Sequence, residues 1–223
     1  MSFTLSDPVY HPPLEPNLSA IYCDDDFIVL NKPSGLLSVP GRDPSLSDSL
    51  ATRVRKERPN AQMINRLDKD TSGLVLISLN KKAHAAIAAQ FENRTTKKLY
   101  NAIVWGHLPD DEGFIDLPLA IDPENKPRRR VDYSSGKPAQ TQWRAVERLS
   151  MPPSTRVHLV PLTGRTHQLR IHMQSIGHPI LGDSFYAEGE ALTASPRLML
   201  HAEQLGFQHP NGQYVSFTAP CPF

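Results

Sequence analysis

The chain has 223 residues, of which 39% are hydrophobic and 21% charged, the composition of a globular protein with a sizeable core. Its 24 basic and 23 acidic side chains give a net charge of +1, which taken alone argues against a nucleic-acid ligand. No apolar run approaches the ~20 residues that span a bilayer, and residues 1–20 lack the pattern of a signal peptide. The two cysteines are too few for a disulfide framework or a four-thiolate zinc site, so we expect a cytoplasmic protein.

Periodicity and turn residues predict the elements in chain order. Residues 1–20 contain four prolines and little periodicity, which predicts an extended arm lying on the domain. A turn at 24–26 precedes a strand at 27–30 and a loop at 31–35. An apolar run at 73–79 indicates a buried strand, and Asn80 is placed to cap a helix over 81–93. Further strands are expected at 99–105, 141–149, 155–161, 197–207 and 213–219, and a helix at 166–176 that ends at Gly177.

Strands outnumber helices in this prediction and do not alternate regularly with them. The pattern therefore favours an α+β fold over a doubly wound parallel sheet. Proline also exceeds its average frequency, at 21 of 223 residues, which indicates many loops and few long helices.

A charged motif stands directly before the predicted buried strand, in the segment INRLDKDTSGLVLISL (64–79). The spacing of Asp68 and Gly73 matches the first half of a calcium-binding loop, but Leu79 occupies the position that must supply a bidentate glutamate. An ordinary turn is a second interpretation, because Asp and Ser bind nearby backbone N–H groups and Gly tolerates positive φ. The third is a catalytic carboxylate, since Arg66 and Asp68 share one side of an extended segment and a nearby arginine favours the charged form.

Four histidines late in the chain raise the question of a zinc site. His167 and His172 are five residues apart, a spacing that separates them on a helix or on a strand. They do not match the HExxH pattern. We therefore expect no metal, and interpret His167, His172, His178 and His201 as residues at a helix border or in contact with the ligand.

Four stretches together carry a resemblance to a known family. The segment RLDKDTSG (66–73) resembles the catalytic motif of the RluA family of pseudouridine synthases, usually HRLDxxTSG, although Asn65 stands where histidine is usual. NKPSGLLSVPG (31–41), KKLYNAIVWG (97–106) and LTGRTHQLRIHMQSIGHPILGD (162–183) resemble three further family signatures in the same order. GKPAQT (136–141) and PRLMLHAE (196–203) resemble a dual-specificity member of that family.

The resemblance implies a fold and a reaction. The fold would be a mixed, mostly antiparallel sheet with flanking helices and a central RNA-binding cleft. One catalytic domain would span residues 21–223, with two subdomains around that cleft, and the residues before Ile21 leave no room for an S4 RNA-binding domain. The enzyme would flip a uridine out of structured RNA and isomerise it to pseudouridine without a cofactor.

The resemblance also implies site residues. Asp68 would be the catalytic aspartate, Tyr100 would stack on the target base, and Arg170 would pair with the aspartate. Arg66 would fill the space that the flipped base leaves. RNA contacts are expected from Arg165, His167, Lys126, Arg128, Arg129 and Arg130.

The expected substrates are a 23S rRNA stem-loop and the anticodon stem-loop of some tRNAs. We expect a monomer with no obligate protein partner and no membrane contact. A noncatalytic RNA-binding or RNA-chaperone module is the alternative function, because it would use the same basic segments.

Charge counted by segment reverses the first impression from the net charge. Residues 61–100 carry 7 basic and 3 acidic side chains, and residues 126–175 carry 10 and 2. These two segments hold the candidate catalytic residues, whereas residues 101–125 carry no basic side chain and 6 acidic ones. The pattern predicts a basic RNA-binding face on a nearly neutral protein.

Overall fold

A ten-stranded mixed sheet runs through the computed structural model, which describes residues 10–223. The spatial order of its strands is β1-β2-β4-β11-β5-β10-β9-β6, with β3 also paired to β4 and β12 to β11, while β7 and β8 form a separate two-stranded ribbon. The strands are β1 (Ala20–Cys23), β2 (Phe27–Lys32), β3 (Gln62–Met63), β4 (Ser72–Ser78), β5 (Lys97–Trp105), β6 (Glu112–Asp116), β7 (Leu119–Ile121), β8 (Arg129–Val131), β9 (Gln140–Leu149), β10 (Ser154–Pro161), β11 (Leu200–Gln208) and β12 (Tyr214–Thr218). The helices are α1 (Leu50–Glu57), α2 (Lys81–Glu92), α3 (Gln168–Ser175) and α4 (Gly189–Thr193), with a 3-10 turn at Pro44–Leu46.

At the junction of β4 and β11, the two strands run parallel. The other paired strands within residues 10–223 are antiparallel. Gly73 makes this junction possible. Its φ is +113°, and a Cβ atom there would collide with the backbone of Ala202 on β11. The glycine of the motif is therefore required by the close approach of two strands as well as by its backbone conformation.

Helices cover both faces of β4, which explains why all seven of its residues are buried. Val75 and Ile77 pack with Leu50 and Val54 of α1 on one face. On the other face, Leu74 and Leu76 pack in a cluster with these residues of α2 and β11: Ala83, Ile87, Leu205 and Phe207. A third cluster lies between α3 and the strands β5, β9 and β10.

Most of the predicted elements are confirmed. The buried strand at 73–79 is β4, Asn80 caps α2 through its side chain and Ala83 N–H, and the turn at 24–26 joins β1 to β2. The predicted α+β class is also correct. Four boundaries differ by two residues or more: β2 continues through Asn31 and Lys32, β5 begins at Lys97 rather than at residue 99, α3 begins at Gln168 rather than at residue 166, and β11 begins at Leu200 rather than at residue 197.

The predicted arm of residues 1–20 is described only from Tyr10 onward, and residues 1–9 lie outside the described part. Residues 10–19 contain no helix or strand. They contact α1, because Arg53 donates hydrogen bonds to the carbonyl oxygens of Pro13 and Asn17, and Tyr10 donates to that of Asp48. Between residues 10 and 223, none of the helices is both long and apolar enough to cross a membrane.

Candidate active site

Asp68 lies in the loop between β3 and β4, and backbone contacts hold this loop on both sides of the residue. On one side, the Ser38 hydroxyl donates to the Leu67 carbonyl oxygen at 2.7 Å and accepts from the Leu67 N–H at 3.0 Å. On the other, the Gly35 N–H donates to the Lys69 carbonyl oxygen at 2.9 Å. The 31–41 segment thus fixes the backbone of the 66–73 motif.

Lys32 places a buried ammonium group at the contact between the 31–41 segment and the loop that carries Asp68. Its Nζ atom donates to the carbonyl oxygens of Pro33, Leu36 and Lys69 at 2.9, 2.7 and 2.8 Å. Burial lowers the pKa of the Lys32 ammonium to about 7, and the charges of Asp70 and Asp68 oppose that shift. The sequence predicts that Lys32 lies in a loop. In the structure its side chain is one of the links between the 31–41 segment and the loop that carries Asp68.

Asn65, the departure from the family pattern, bonds the loop to β4. Its Oδ1 accepts from the Leu76 N–H at 2.7 Å, and its Nδ2 donates to the Leu74 carbonyl oxygen at 3.4 Å. Both functions of the amide are used by backbone groups, so this position needs a donor and an acceptor rather than a charge.

The guanidinium of Arg170 joins two carboxylates across the site. Its Nε and Nη2 atoms donate to Asp183 at 2.8 and 2.6 Å, and its Nη1 donates to Asp68 Oδ2 at 3.3 Å. Burial works against the charged form of Arg170, but the bond and charge of Asp183 outweigh it and raise the pKa of Arg170. Arg170 thus remains a cation whose charge two carboxylates share.

Two aromatic rings cover Arg170. The guanidinium carbon lies 5.0 Å from the Phe185 ring centroid and 5.2 Å from that of Tyr186. Such cation–π contacts strengthen when water is excluded, as it is around a side chain that is 2% exposed. The rings and Asp183 together fix the orientation of Arg170 towards Asp68.

Tyr100 lies on β5, where two of the hydrophobic clusters meet, and its side chain packs against both. Burial and then the charge of Asp68 raise the pKa of the Tyr100 phenol well above its ordinary value. Tyr100 is consequently a neutral phenol at physiological pH, in the electrostatic field of Asp68.

The remaining predicted basic residues lie around this centre. Arg66 is exposed, and Arg165 is half-buried with its Nε donating to the Pro138 carbonyl oxygen at 3.1 Å. Lys126, Arg128 and Arg130 are exposed and lie on or beside the β7–β8 ribbon. The Arg128–Arg130 segment lines a groove of about 560 Å³ together with Phe185 and Tyr186.

The structure therefore brings Asp68, Arg170 and His167 into direct proximity, with His167 Nε2 at 3.9 Å from Asp68 Oδ2. The other three histidines have separate partners: His172 lies against Thr141, His178 against the Trp105 carbonyl oxygen, and His201 against Ser72.

Sequence reasoning missed several residues of this site, namely Lys32, Asp183, Phe185 and Tyr186. Asp183 closes the 162–183 signature, but nothing in its spacing showed that it pairs with Arg170.

Comparisons with known proteins identify the family of this chain. The family model described as RNA pseudouridylate synthase matches residues 26–175. The dual-specificity RNA pseudouridine synthases RluA of Pasteurella multocida (strain Pm70) and Escherichia coli (strain K12) are each 50% identical to this chain over 96% of its length and 98% of theirs. Among solved structures, human RNA pseudouridylate synthase domain containing 1 is 32% identical with a TM-score of 0.80, covering 96% of this chain and 87% of that one.

Fold, site and comparisons define an RNA-modifying isomerase. The chain belongs to the RNA pseudouridylate synthase family, and it converts uridine in RNA to pseudouridine. A noncatalytic RNA-binding module is not favoured.

Proposed function

We propose that this enzyme modifies two kinds of RNA, a stem-loop of 23S rRNA and the anticodon stem-loop of some tRNAs. Support comes from the relatives named dual-specificity RNA pseudouridine synthase, which match nearly their whole length. These substrates share a short folded loop, and proteins recognise RNA loops through unstacked bases and shape. The enzyme acts as a monomer in the cytoplasm, and residues 21–223 form the catalytic domain.

Asp68 is the catalytic residue in this proposal. The observation that carries it is the fixed loop, in which backbone bonds at Leu67 and Lys69 hold the carboxylate against the shared cation Arg170. The carboxylate attacks or deprotonates the flipped nucleoside, and the N–glycosidic bond breaks. The base rotates and its C5 bonds to C1′ of the ribose, which releases any bond to Asp68. The proton of C5 is then lost to solvent, and N1 takes up a proton.

Tyr100 and Arg170 support this reaction differently. The Tyr100 ring stacks on the target base, and its contacts with two hydrophobic clusters hold the ring in place. Arg170 holds the Asp68 carboxylate in one orientation. Because Arg170 also bonds Asp183, it binds Asp68 less strongly than it would alone.

The surrounding basic residues bind the RNA. Arg66 is exposed beside Asp68 and enters the stack where the flipped base was. Phosphates contact the ribbon and the start of α3, and these contacts position the substrate without reading its sequence. The contacting residues are Arg165, Lys126, Arg128, Arg129 and Arg130. His167, also expected to contact RNA, is nearly buried beside Asp68.

Tritium release from RNA labelled at uridine C5 tests the proposal. The native enzyme releases tritium, and Asp68→Asn binds RNA but releases none. Asp25→Asn is the control, because Asp25 is an exposed carboxylate in the turn between β1 and β2, and the Asn80 side chain bonds its backbone carbonyl oxygen. Equal release by Asp68→Asn and the native enzyme would refute the role of Asp68.

Pseudouridine mapping in total RNA from cells with and without the gene tests the substrates. Both a 23S rRNA site and a tRNA site should lose the modification. Loss in only one class would refute dual specificity while leaving the activity intact.

A further inference from the structure

His167 has an unusual conformation for a residue beside a catalytic carboxylate. Its φ of 58° and ψ of 15° place it in the left-handed region, which non-glycine residues occupy rarely and often at functional sites. It precedes α3 without capping the helix through its side chain. Its ring is nearly buried and directs Nδ1 to Tyr186 Oη at 2.7 Å, while Nε2 lies 3.9 Å from Asp68 Oδ2.

The hydrogen bonds of Tyr186 favour one tautomer of the His167 ring. The Tyr186 oxygen accepts the backbone N–H of Arg129 at 2.8 Å. Burial raises the pKa of Tyr186, so the phenol keeps its one O–H, and that O–H can donate only to His167 Nδ1 among the partners it has here. Burial also lowers the pKa of His167, so the ring is neutral at physiological pH with its proton on Nε2.

The donors around Asp68 then converge on one oxygen. Arg170 Nη1 donates to Oδ2 at 3.3 Å, and His167 Nε2–H lies 3.9 Å from the same atom. The second distance exceeds a hydrogen bond, and catalytic contacts of this kind often shorten only when substrate is bound. Within residues 10–223, no hydrogen bond is made to Oδ1 of Asp68.

We propose that Tyr186 and His167 form a hydrogen-bond relay that positions Asp68, with the Nε2–H of His167 directed at Oδ2 and Oδ1 left as the reacting oxygen. The relay begins at the Arg129 backbone in the β7–β8 ribbon, so it links that ribbon to the carboxylate. His167 and Tyr186 are positioning residues in this scheme. Their effect on turnover rests on the proposed role of Asp68, but the protonation pattern does not.

Nitrogen-15 NMR of histidine-labelled enzyme without RNA tests the protonation pattern. The His167 ring, assigned by the signals missing in His167→Gln, should show protonated Nε2 and unprotonated Nδ1. In Tyr186→Phe, a second set of His167 signals should appear beside the first. It belongs to the other tautomer, with Nδ1 protonated and Nε2 unprotonated. A native His167 protonated on Nδ1 would overturn the relay, whatever the activity of Asp68 variants.

Single-turnover kinetics test the positioning role. Tyr186→Phe should slow the chemical step at least about tenfold while RNA affinity changes less than about twofold. Tyr214→Phe, which removes a phenol hydroxyl from β12, should match the native enzyme. His167→Ala combined with Tyr186→Phe should be no slower than His167→Ala alone. Additive losses, or a Tyr186→Phe loss confined to RNA affinity, would overturn the relay.

Discussion

At the scale of single residues, the unusual feature of the site is a buried cation with two anionic partners. Arg170 makes its shorter bonds to Asp183 and its longer bond to Asp68. A cation bound tightly by Asp68 alone would stabilise that carboxylate against reaction. Under the proposed role of Asp68, sharing the charge keeps the carboxylate oriented without stabilising it against reaction.

Replacing Asp183 by Asn tests this balance. The amide keeps the shape but removes the charge, so Arg170 binds Asp68 more tightly and loses its bidentate partner. We expect the rate of the chemical step to fall at least about tenfold, and the free energy of unfolding by about 3 kcal/mol, as for other broken buried pairs. Single-turnover kinetics and urea unfolding provide both values.

Asp111→Asn is the control for Asp183→Asn, because it breaks the exposed pair between Asp111 and Arg148. Exposed pairs contribute about 0–1 kcal/mol, so this variant should remain near native stability and activity. Native turnover by Asp183→Asn would show that sharing the charge has no catalytic role.

At the scale of elements, the junction of β4 and β11 places the catalytic motif. Gly73→Ala would put a methyl group into the Ala202 backbone at a φ that disfavours side chains. We expect a loss of more than about 3 kcal/mol of unfolding free energy, measured by urea denaturation. Gly164→Ala, where no atom lies within 4 Å of the added carbon, should change it by less than about 1 kcal/mol. Similar losses in both variants would contradict the role of the junction.

The elements also show what the sequence could predict. β4 and α2 were predictable because an apolar run and an Asn cap are local signals. The helix α1 was not predicted, although Ser49 caps it and Leu50 and Val54 have helical spacing. The start of α3 was placed too early because left-handed backbone at His167 leaves no trace in residue type.

The site residues also divide into those that local motifs indicate and those that depend on tertiary contacts. The motifs indicate Asp68, Tyr100 and Arg170 as candidates, and the structure places Asp68 beside Arg170. Asp183 and Tyr186 enter the site through contacts with Arg170 and His167 that no motif indicates. Lys32 was assigned to a loop because no local pattern shows that one ammonium bonds three carbonyl oxygens from two loops. Such contacts depend on the tertiary fold, which a single sequence does not display.

At the scale of the whole molecule, the proposed phosphate contacts of the basic ribbon predict how RNA binding responds to salt. Each lost phosphate contact reduces the slope of log affinity against log salt by about 0.7–0.9. The double variant Lys126→Gln, Arg128→Gln should therefore have a slope smaller by about one to two, measured by titration of a stem-loop. Lys56→Gln on α1 removes one charge elsewhere and should keep the native slope. An unchanged slope in the double variant would exclude the ribbon from the interface.

Stability against acid is the second property of the whole molecule. Burial lowers the pKa of His167, His172 and His201, so the folded state binds fewer protons than the unfolded chain below about pH 6.5. The free energy of unfolding should therefore fall as pH drops from 7 to 5. The loss is up to about 1.4 kcal/mol for each pH unit by which folding lowers the pKa of a histidine. Urea unfolding at pH 7 and at pH 5 measures this loss. The loss should be smaller in His172→Gln than in His11→Gln, which replaces an exposed histidine. An equal loss in both variants would show that buried His172 does not contribute.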